Sequence, residues 1–243
     1  MGVAAVAAAR TAGYRNAGTI EFLLEGEGDA ARFYFLEMNT RLQVEHPVTE
    51  LVTGTDLVRA QLTVAMGRPL PWRQEDLRQR GHAIECRVYA EDPAGGFLPQ
   101  AGPLLLYREP SGPGIRIDSG VEEGADVPVQ YDPMLAKLIA HGETRARAIE
   151  RAVAALRTFP ILGVRTNVSF LIRVLGHPGF RAGHVHTGFV DEHLTSLLEK
   201  EPPSDVVLAA AAYIRASPSG PAGAARVPAT PDPWSEPSRW GRS

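Results

Sequence analysis

The sequence predicts an α+β fold, and three observations carry that reading. Two β-rich runs, Gly18–Leu24 and Arg32–Asn39, are joined by Glu25-Gly26-Glu27-Gly28-Asp29, which has the glycine and acid content of a hairpin loop. After about residue 80, short strand-like runs separated by Gly/Pro turns read as antiparallel. Between and after them lie segments with helical apolar spacing.

Residues 1–13 are alanine-rich, and Gly13 stands where a helix C-cap glycine belongs. The run is apolar, but it has no basic leading segment and meets Arg10 at once, so it reads as a helix rather than a signal peptide. Thr49 or Thr55-Asp56 opens the next helix, with Leu57, Val58, Leu62, Val64 and Ala65 on one stripe and Gly67 at its end. Pro69 and Pro71 follow as breakers. The later strands are expected at Ala83–Tyr89, Pro103–Arg108, Ile115–Asp118 and Leu135–Ala140. Helices are expected at Thr144–Phe159, at Asn167–Leu175 closed by Gly176 and Pro178, and at Thr187–Leu198, with a short strand at Ile161–Val164. The last 43 residues hold eight prolines and read as linker or disorder, save for a short apolar helix at Val206–Ile214.

Composition narrows the function classes. The 243 residues are 44% hydrophobic and 22% charged, which excludes a mostly disordered or collagen-like chain. A net charge of −3 leaves no basic field for nucleic acid. The single cysteine, Cys86, excludes a disulfide framework and fits a reducing, cytoplasmic setting. No segment reaches the roughly 18–20 apolar residues of a membrane span.

Chemistry concentrates in Phe35-Leu36-Glu37-Met38-Asn39-Thr40-Arg41-Leu42-Gln43-Val44-Glu45-His46-Pro47. Read as extended chain, it places Glu37, Asn39, Arg41, Gln43 and Glu45 on one side, and Met38, Leu42 and Val44 on the other. If the two β-rich runs pair, Glu21 faces Glu37, and like charges directly opposed are destabilising. A hard cation resolves that cost, and Glu21, Glu37 and the Asn39 amide oxygen make a magnesium set. Salt bridges to Arg32 or Arg41 are the alternative. Among the remaining candidates, His184, His186 and His193 fit no standard zinc spacing. His46 reads as orienting Glu45, Cys86 as a buried structural thiol, and Lys137 as the partner of an acid such as Asp132. Gly112-Pro113-Gly114 reads as a turn, not a phosphate loop.

The stretch Gly13–Glu50, with Glu37–Pro47 at its centre, closely resembles the second half of the ATP-grasp domain of biotin carboxylase. His82–Pro93 resembles the opening of that family's C-terminal domain, and Tyr131–Leu138 and Gly163–Asn167 resemble its later blocks. The resemblance covers about residues 1–195. It implies residues 1–78 as the back half of an ATP-grasp domain, 79–200 as the C-terminal domain, and 201–243 as linker or the start of a following region. It also implies ATP- and Mg2+- (or Mn2+-) dependent carboxylation of carrier-attached biotin with bicarbonate. Carried over residue by residue, the metal ligands fall on Glu21, Glu37 and Asn39, and bicarbonate on Arg41, Gln43 and the Val44 backbone. The general base falls on Glu45, and the arginine that stabilises the biotin enolate on Arg87.

The implied partners are a second copy of the chain, paired through the C-terminal domain, together with a biotin carboxyl carrier domain and a carboxyltransferase subunit. The family's nucleotide-fold domain, glycine-rich lid and phosphate-contacting lysines have no counterpart in these residues, so the chain reads as the back half of a longer parent. Phe159–Asn167, Gly183–Phe189 and the Asp232-Pro233-Trp234 and Trp240-Gly241-Arg242 tail look closer to methylcrotonyl-CoA-type α chains. A pyruvate carboxylase-type module and a non-catalytic, self-associating piece stay open as alternatives.

Overall fold

The computed structural model describes residues 1–26, 28–199, 202, 203 and 205–216. Met1–Leu198 form one compact unit and Glu199–Ser243 a second, in which the described residues build a single helix, Asp205–Ala216. The rest of the tail, with its expected linker character, lies outside the described residues. Among the described residues no helix is long and apolar enough to cross a membrane.

The alanines of Gly2–Thr11 lose no side-chain entropy on coiling and form α1, and Gly13 follows with a left-handed φ of 61°. Strands β1 (Thr19–Glu25) and β2 (Arg32–Asn39) pair antiparallel as a two-stranded ribbon. Their register sets Thr19 against Asn39, Ile20 against Met38 and Glu21 against Glu37; a bulge after Glu21 then shifts it to Phe22 against Phe35. Leu23, Leu24, Phe35 and Leu36 are all exposed, and since neighbours on a strand point to opposite faces, both faces of the ribbon present apolar surface.

The chain leaves the extended state at Asn39, earlier than the sequence pattern suggests. Thr40–Glu45 is irregular, and His46–Thr53 forms α2, with Pro47 in its first turn and Gly54 closing it at φ 72°. The period-two alternation of Arg41, Gln43 and Glu45 is therefore not a strand pattern. Proline pre-sets the helical φ in the first turn, where its missing N–H costs nothing. Thr49 lies inside α2, and α3 (Leu57–Ala65) opens at Asp56, whose Oδ1 accepts the Arg59 N–H at 2.8 Å.

The rest of the first unit comprises β3 (His82–Tyr89), β4 (Glu91–Asp92), β5 (Leu98–Pro99), β6 (Gly102–Pro103), β7 (Leu106–Tyr107), β8 (Ile115–Ser119), β9 (Asp126–Val127), β10 (Met134–Gly142), α4 (Arg145–Arg157), β11 (Ile161–Leu162), α5 (Val168–Gly176), α6 (Pro178–Ala182) and α7 (Phe189–Leu198). The expected strand at Pro103–Arg108 is split. Its ends serve different partners, β6 pairing with β9 and β7 with β11, and Leu104 is buried between them. α5 ends at Gly176 ahead of Pro178, as expected, and Pro178 in turn opens α6, where the His177 ring accepts the Gly179 N–H and caps the new turn.

The central sheet has the order β3-β10-β8, antiparallel throughout. One face carries Cys86, Val88, Ala136, Leu138, Ala140 and Ile117 and packs on α4 through Ala148, Ile149, Ala152 and Leu156. Thr144 caps α4 by accepting the Arg147 N–H, as its place in the sequence suggests. The other face carries two register rows, Arg87–Lys137–Asp118 and Glu85–Ile139–Arg116. α2 lies over this face, in contact with β3 and β10, and Pro47 is fully buried there.

Gly163 has a φ of 109°, and a Cβ placed there lies 1.9 Å from the Pro103 carbonyl oxygen. Gly163→Ala is expected to cost about 2–4 kcal/mol from overpacking and backbone strain together. Denaturant unfolding checks this, through a lowered midpoint at an unchanged slope.

Candidate functional site

The register of β1 and β2 sets two carboxylates directly opposite each other. Asn39, two residues beyond Glu37 on the same face, reconciles them: its Nδ2 donates to Glu21 Oε1 and to Glu37 Oε1, both at 2.8 Å. Gln43 adds a second amide, its Nε2 donating to Glu21 Oε1 at 3.1 Å, and Arg41 donates to Gln43 Oε1. Glu21, Glu37, Asn39, Arg41 and Gln43 thus form one hydrogen-bonded network at the end of the ribbon. The salt bridges considered as the alternative do not form here, since Arg32 pairs with Glu25 at 3.1 Å and Arg41 turns to Gln43 and the Leu42 carbonyl. Two carboxylates flanking a carboxamide are an oxygen-rich donor set that suits a hard cation. The amide presents nitrogen to the carboxylates, as its hydrogen bonds dictate; turned over, it presents the oxygen that a cation needs.

Glu45 is the residue that precedes α2, and its side chain leaves the helix end to meet the sheet. Its Oε2 accepts from Arg87 Nη2 at 2.8 Å. Arg87 Nε in turn reaches Glu85 Oε1 at 3.3 Å, so one guanidinium stands between two carboxylates. The Glu85 side chain is only 6% exposed, and its Oε2 is buried without a hydrogen-bond partner. Burial pushes the Glu85 carboxyl above the usual carboxylate range, outweighing the hydrogen bond from Arg87 and the charge of Lys137. Burial also works against the Arg87 cation, but the hydrogen bond to Glu85 and the charges of Glu85 and Glu45 more than offset it and raise its pKa.

Asn167, at the start of α5, caps nothing with its side chain. It is buried, its Oδ1 accepting the Tyr89 N–H at 3.0 Å and its Nδ2 donating to the Arg87 carbonyl at 3.1 Å, which pins the strand beneath Arg87. The sequence offers only a helix-start asparagine here, and no spacing rule links it to Arg87. Three further groups escape sequence reasoning. Asp118 and Glu50 are bridged by Arg116, which grips Asp118 through Nε at 2.7 Å and Nη2 at 3.0 Å and Glu50 through Nη1 at 2.6 Å.

Several expectations need correction. Lys137 pairs with Asp118 at 3.2 Å and donates to the Val44 carbonyl at 3.0 Å, while Asp132 accepts the Met134 N–H instead. The reason is register: Asp118 is the β8 partner of Lys137, whereas Asp132 lies before β10 begins. His46 faces the Gln43 carbonyl at 2.9 Å and Glu50 at 3.9 Å rather than Glu45, whose side chain goes to Arg87.

The remaining candidates take structural places. Burial, with the nearby Glu85 charge, pushes the Cys86 thiol up to about 12. His193 stacks on His177 at 4.3 Å between ring centroids, and His186 pairs with Glu192 at 3.4 Å. Among the described residues no group of three or more His, Cys, Asp or Glu side chains is placed to hold a metal ion. Gly112-Pro113-Gly114 leads into β8, not into a helix.

The class of protein follows from the two segments that meet at Glu45 and Arg87. Residues 1–73 match the carbamoyl-phosphate synthase L chain, ATP binding domain, an ATP-grasp-type family, and residues 85–192 match the biotin carboxylase C-terminal domain. Along both segments the chain is similar to biotin carboxylases. It is 49% identical over 199 residues to the alpha chain of the mitochondrial methylcrotonoyl-CoA carboxylase of Mus musculus, covering 82% of this chain and 27% of that one. It is 51% identical over 193 residues to a pyruvate carboxylase chain of Methanothermobacter thermautotrophicus, covering 79% of this chain and 38% of that one. Identities this close do not choose between the two branches.

A crystal structure of the biotin carboxylase domain dimer of Hydrogenobacter thermophilus 2-oxoglutarate carboxylase, in complex with MgADP, ADP and bicarbonate, superposes with a TM-score of 0.76 at 41% identity. The match covers 81% of this chain and 43% of that one. The chain thus spans about a quarter to two-fifths of the length of these relatives.

The raised Glu85 pKa makes a signed prediction. A carboxyl raised by folding favours the folded state fully below its unfolded value, near 4.5, and that contribution is lost as pH rises through the folded value. Glu85→Gln removes the ionisable group and keeps an acceptor for Arg87. Relative to the parent chain, the variant is expected to gain stability as pH rises from about 4 to about 7, read by urea unfolding at both ends. A pH-independent difference would show that Glu85 ionises as freely as in the unfolded chain.

Proposed function

We propose that residues 1–198 are part of a biotin carboxylase module that, in its intact parent, joins bicarbonate to carrier-attached biotin at the expense of ATP. The observation that carries this reading is the 2.8 Å contact between Glu45 and Arg87. It joins a side chain of the ATP-binding segment to one of the C-terminal domain, and so sets an acid–base group beside a cation at one place. We draw the boundary between the two domains at residues 78 and 79 and assign the region from 201 to a linker.

Each role suits its residue. Arg41 offers a planar fork for bicarbonate, with Gln43 and the Val44 backbone beside it. Glu45 takes the bicarbonate proton, freeing an oxygen to attack the γ-phosphorus of ATP with ADP as leaving group; the carboxyphosphate formed breaks down to carbon dioxide and phosphate, and the phosphate takes the biotin ureido proton. Arg87 offsets the negative charge that develops on the biotin ureido group. Magnesium or manganese would be held by Glu21, Glu37 and the turned-over Asn39 amide, where it neutralises phosphate charge.

The acyl-CoA and pyruvate branches remain equal candidates for the parent. We also propose docking to a carboxyltransferase subunit, docking to a carrier domain, and self-association through residues 79–200. A relative whose biotin carboxylase domain is a dimer supports the last of these.

The 243 residues by themselves are expected to show no biotin-dependent ADP release, and to self-associate in sedimentation velocity. Fused to the preceding portion of a relative's biotin carboxylase, they are expected to release ADP in response to bicarbonate and free biotin. Glu45→Gln in the fusion is expected to lower that rate about 100-fold or more, as loss of a general base does. Arg87→Ala is expected to lower biotin-dependent turnover while largely sparing slow biotin-independent ATP hydrolysis. An active Glu45→Gln variant, or equal losses in both Arg87→Ala assays, would overturn these roles.

A further inference from the structure

The chain contains 23 arginines and only two lysines, Lys137 and Lys200. Where arginine is so strongly preferred, a lysine kept in the middle of a buried strand calls for an explanation. Lys137 sits in β10 beside Leu138 and Ile139, both fully buried, and its side chain is 12% exposed. An ammonium is a compact charge with three donors on a slim stem, whereas a guanidinium is a broad planar fork.

The surroundings of Lys137 leave its Nζ little freedom. It lies 3.2 Å from Asp118 Oδ2 and donates to the Val44 carbonyl at 3.0 Å. Asp118 is itself held by two nitrogens of Arg116, whose third nitrogen is tied to Glu50 on α2. The Val44 carbonyl belongs to the same planar peptide unit as the Glu45 N–H, so holding its oxygen sets the plane from which Glu45 departs toward Arg87. The preceding carbonyl, Gln43, is held by the His46 ring at 2.9 Å. Two successive carbonyls of an irregular loop are thus fixed by side chains, one of them from a different sheet.

We propose that Lys137 is a positioning residue for the Arg41–Glu45 loop: its ammonium, braced by Asp118, holds the Val44 carbonyl and so pre-sets the backbone that receives bicarbonate. The proposal rests on the reading of that loop as the bicarbonate site. Preorganisation of this kind raises affinity by removing the ordering cost from the binding step.

The test uses the full chain. With [15N]lysine labelling only two side-chain nitrogen signals arise, from Lys137 and Lys200. The Lys137 signal is expected to show slow proton exchange and to vanish in Lys137→Met. In the same variant the Val44 carbonyl and Glu45 amide signals are expected to shift and the Glu45 amide to exchange faster, while the α4 amides keep their protection. Titration with [13C]bicarbonate is expected to show affinity weakened about tenfold, as for loss of one charged hydrogen bond. If Lys137→Met does not fold, Lys137→Arg keeps the charge beside Asp118 and is expected to move the same two loop signals, because its fork does not fit the space of the ammonium. Unchanged Val44 and Glu45 signals in the folded variant would overturn the proposal. So would loop signals that shift while bicarbonate affinity stays the same. Absence of any bicarbonate response in the unsubstituted chain would instead overturn the reading of the loop as the bicarbonate site, and the loop signals would still decide whether Lys137 holds it.

Discussion

Charge placed on the buried face of a sheet must be paired, and this requirement organises the molecule. Arg87, Lys137, Asp118, Arg116 and Glu85 share the face of the β3-β10-β8 sheet that α2 covers. An ion removed from water costs several kcal/mol unless partners replace its hydration. Here the partners come from both sides of the junction: Glu45 and Glu50 from the helix side, Arg87 and Arg116 from the sheet. Burial of Asp118 opposes its ionisation, yet the hydrogen bonds from Arg116 and Lys137 outweigh it and hold its pKa below the usual range. Removing a buried member leaves its partner uncompensated, and the Glu45–Arg87 and Glu50–Arg116 pairs link the helix side to the sheet.

The catalytic candidates are products of this pairing. Glu45 is at the end of α2 and Arg87 in the middle of a strand, and neither element alone makes a site. Their contact exists because α2 is seated over the sheet by Pro47 and by the Glu50–Arg116 pair. Asn167 acts from a third element, closing hydrogen bonds that would otherwise be missing along the edge strand β3 near Arg87. An edge strand with its backbone bonded in this way holds its side chains to a defined direction.

The ribbon obeys the opposite logic. Its two carboxylates repel, and only the amides of Asn39 and Gln43 stand between them. The repulsion is tolerated at one end of a two-stranded ribbon many of whose apolar side chains lie exposed. A ribbon of two strands is marginal by itself, so its geometry is set less by its own stability than by the register that the bulge after Glu21 enforces.

Much of this was legible in the residues. β-rich runs and a Gly/acid joint placed β1 and β2 and their opposed carboxylates, because strand pairing across a short loop is a local matter. Thr144, Asp56 and Gly13 marked helix ends, because capping is decided within a few residues. The motif from Glu37 to Pro47 pointed to the family by itself. What the sequence could not supply is everything decided at a distance. The alternation from Arg41 to Glu45 looked like strand and is loop and helix start, since Pro47 and the packing of α2 override a short polar period. Lys137 met Asp118 rather than Asp132, because the partner of a strand residue is chosen by register with another strand and not by nearness in the chain. The same holds for Asn167 and Arg87, 80 residues apart, and for Glu45 and Arg87, 42 apart: side chains so separated meet only when the sheet and the helix above it have packed.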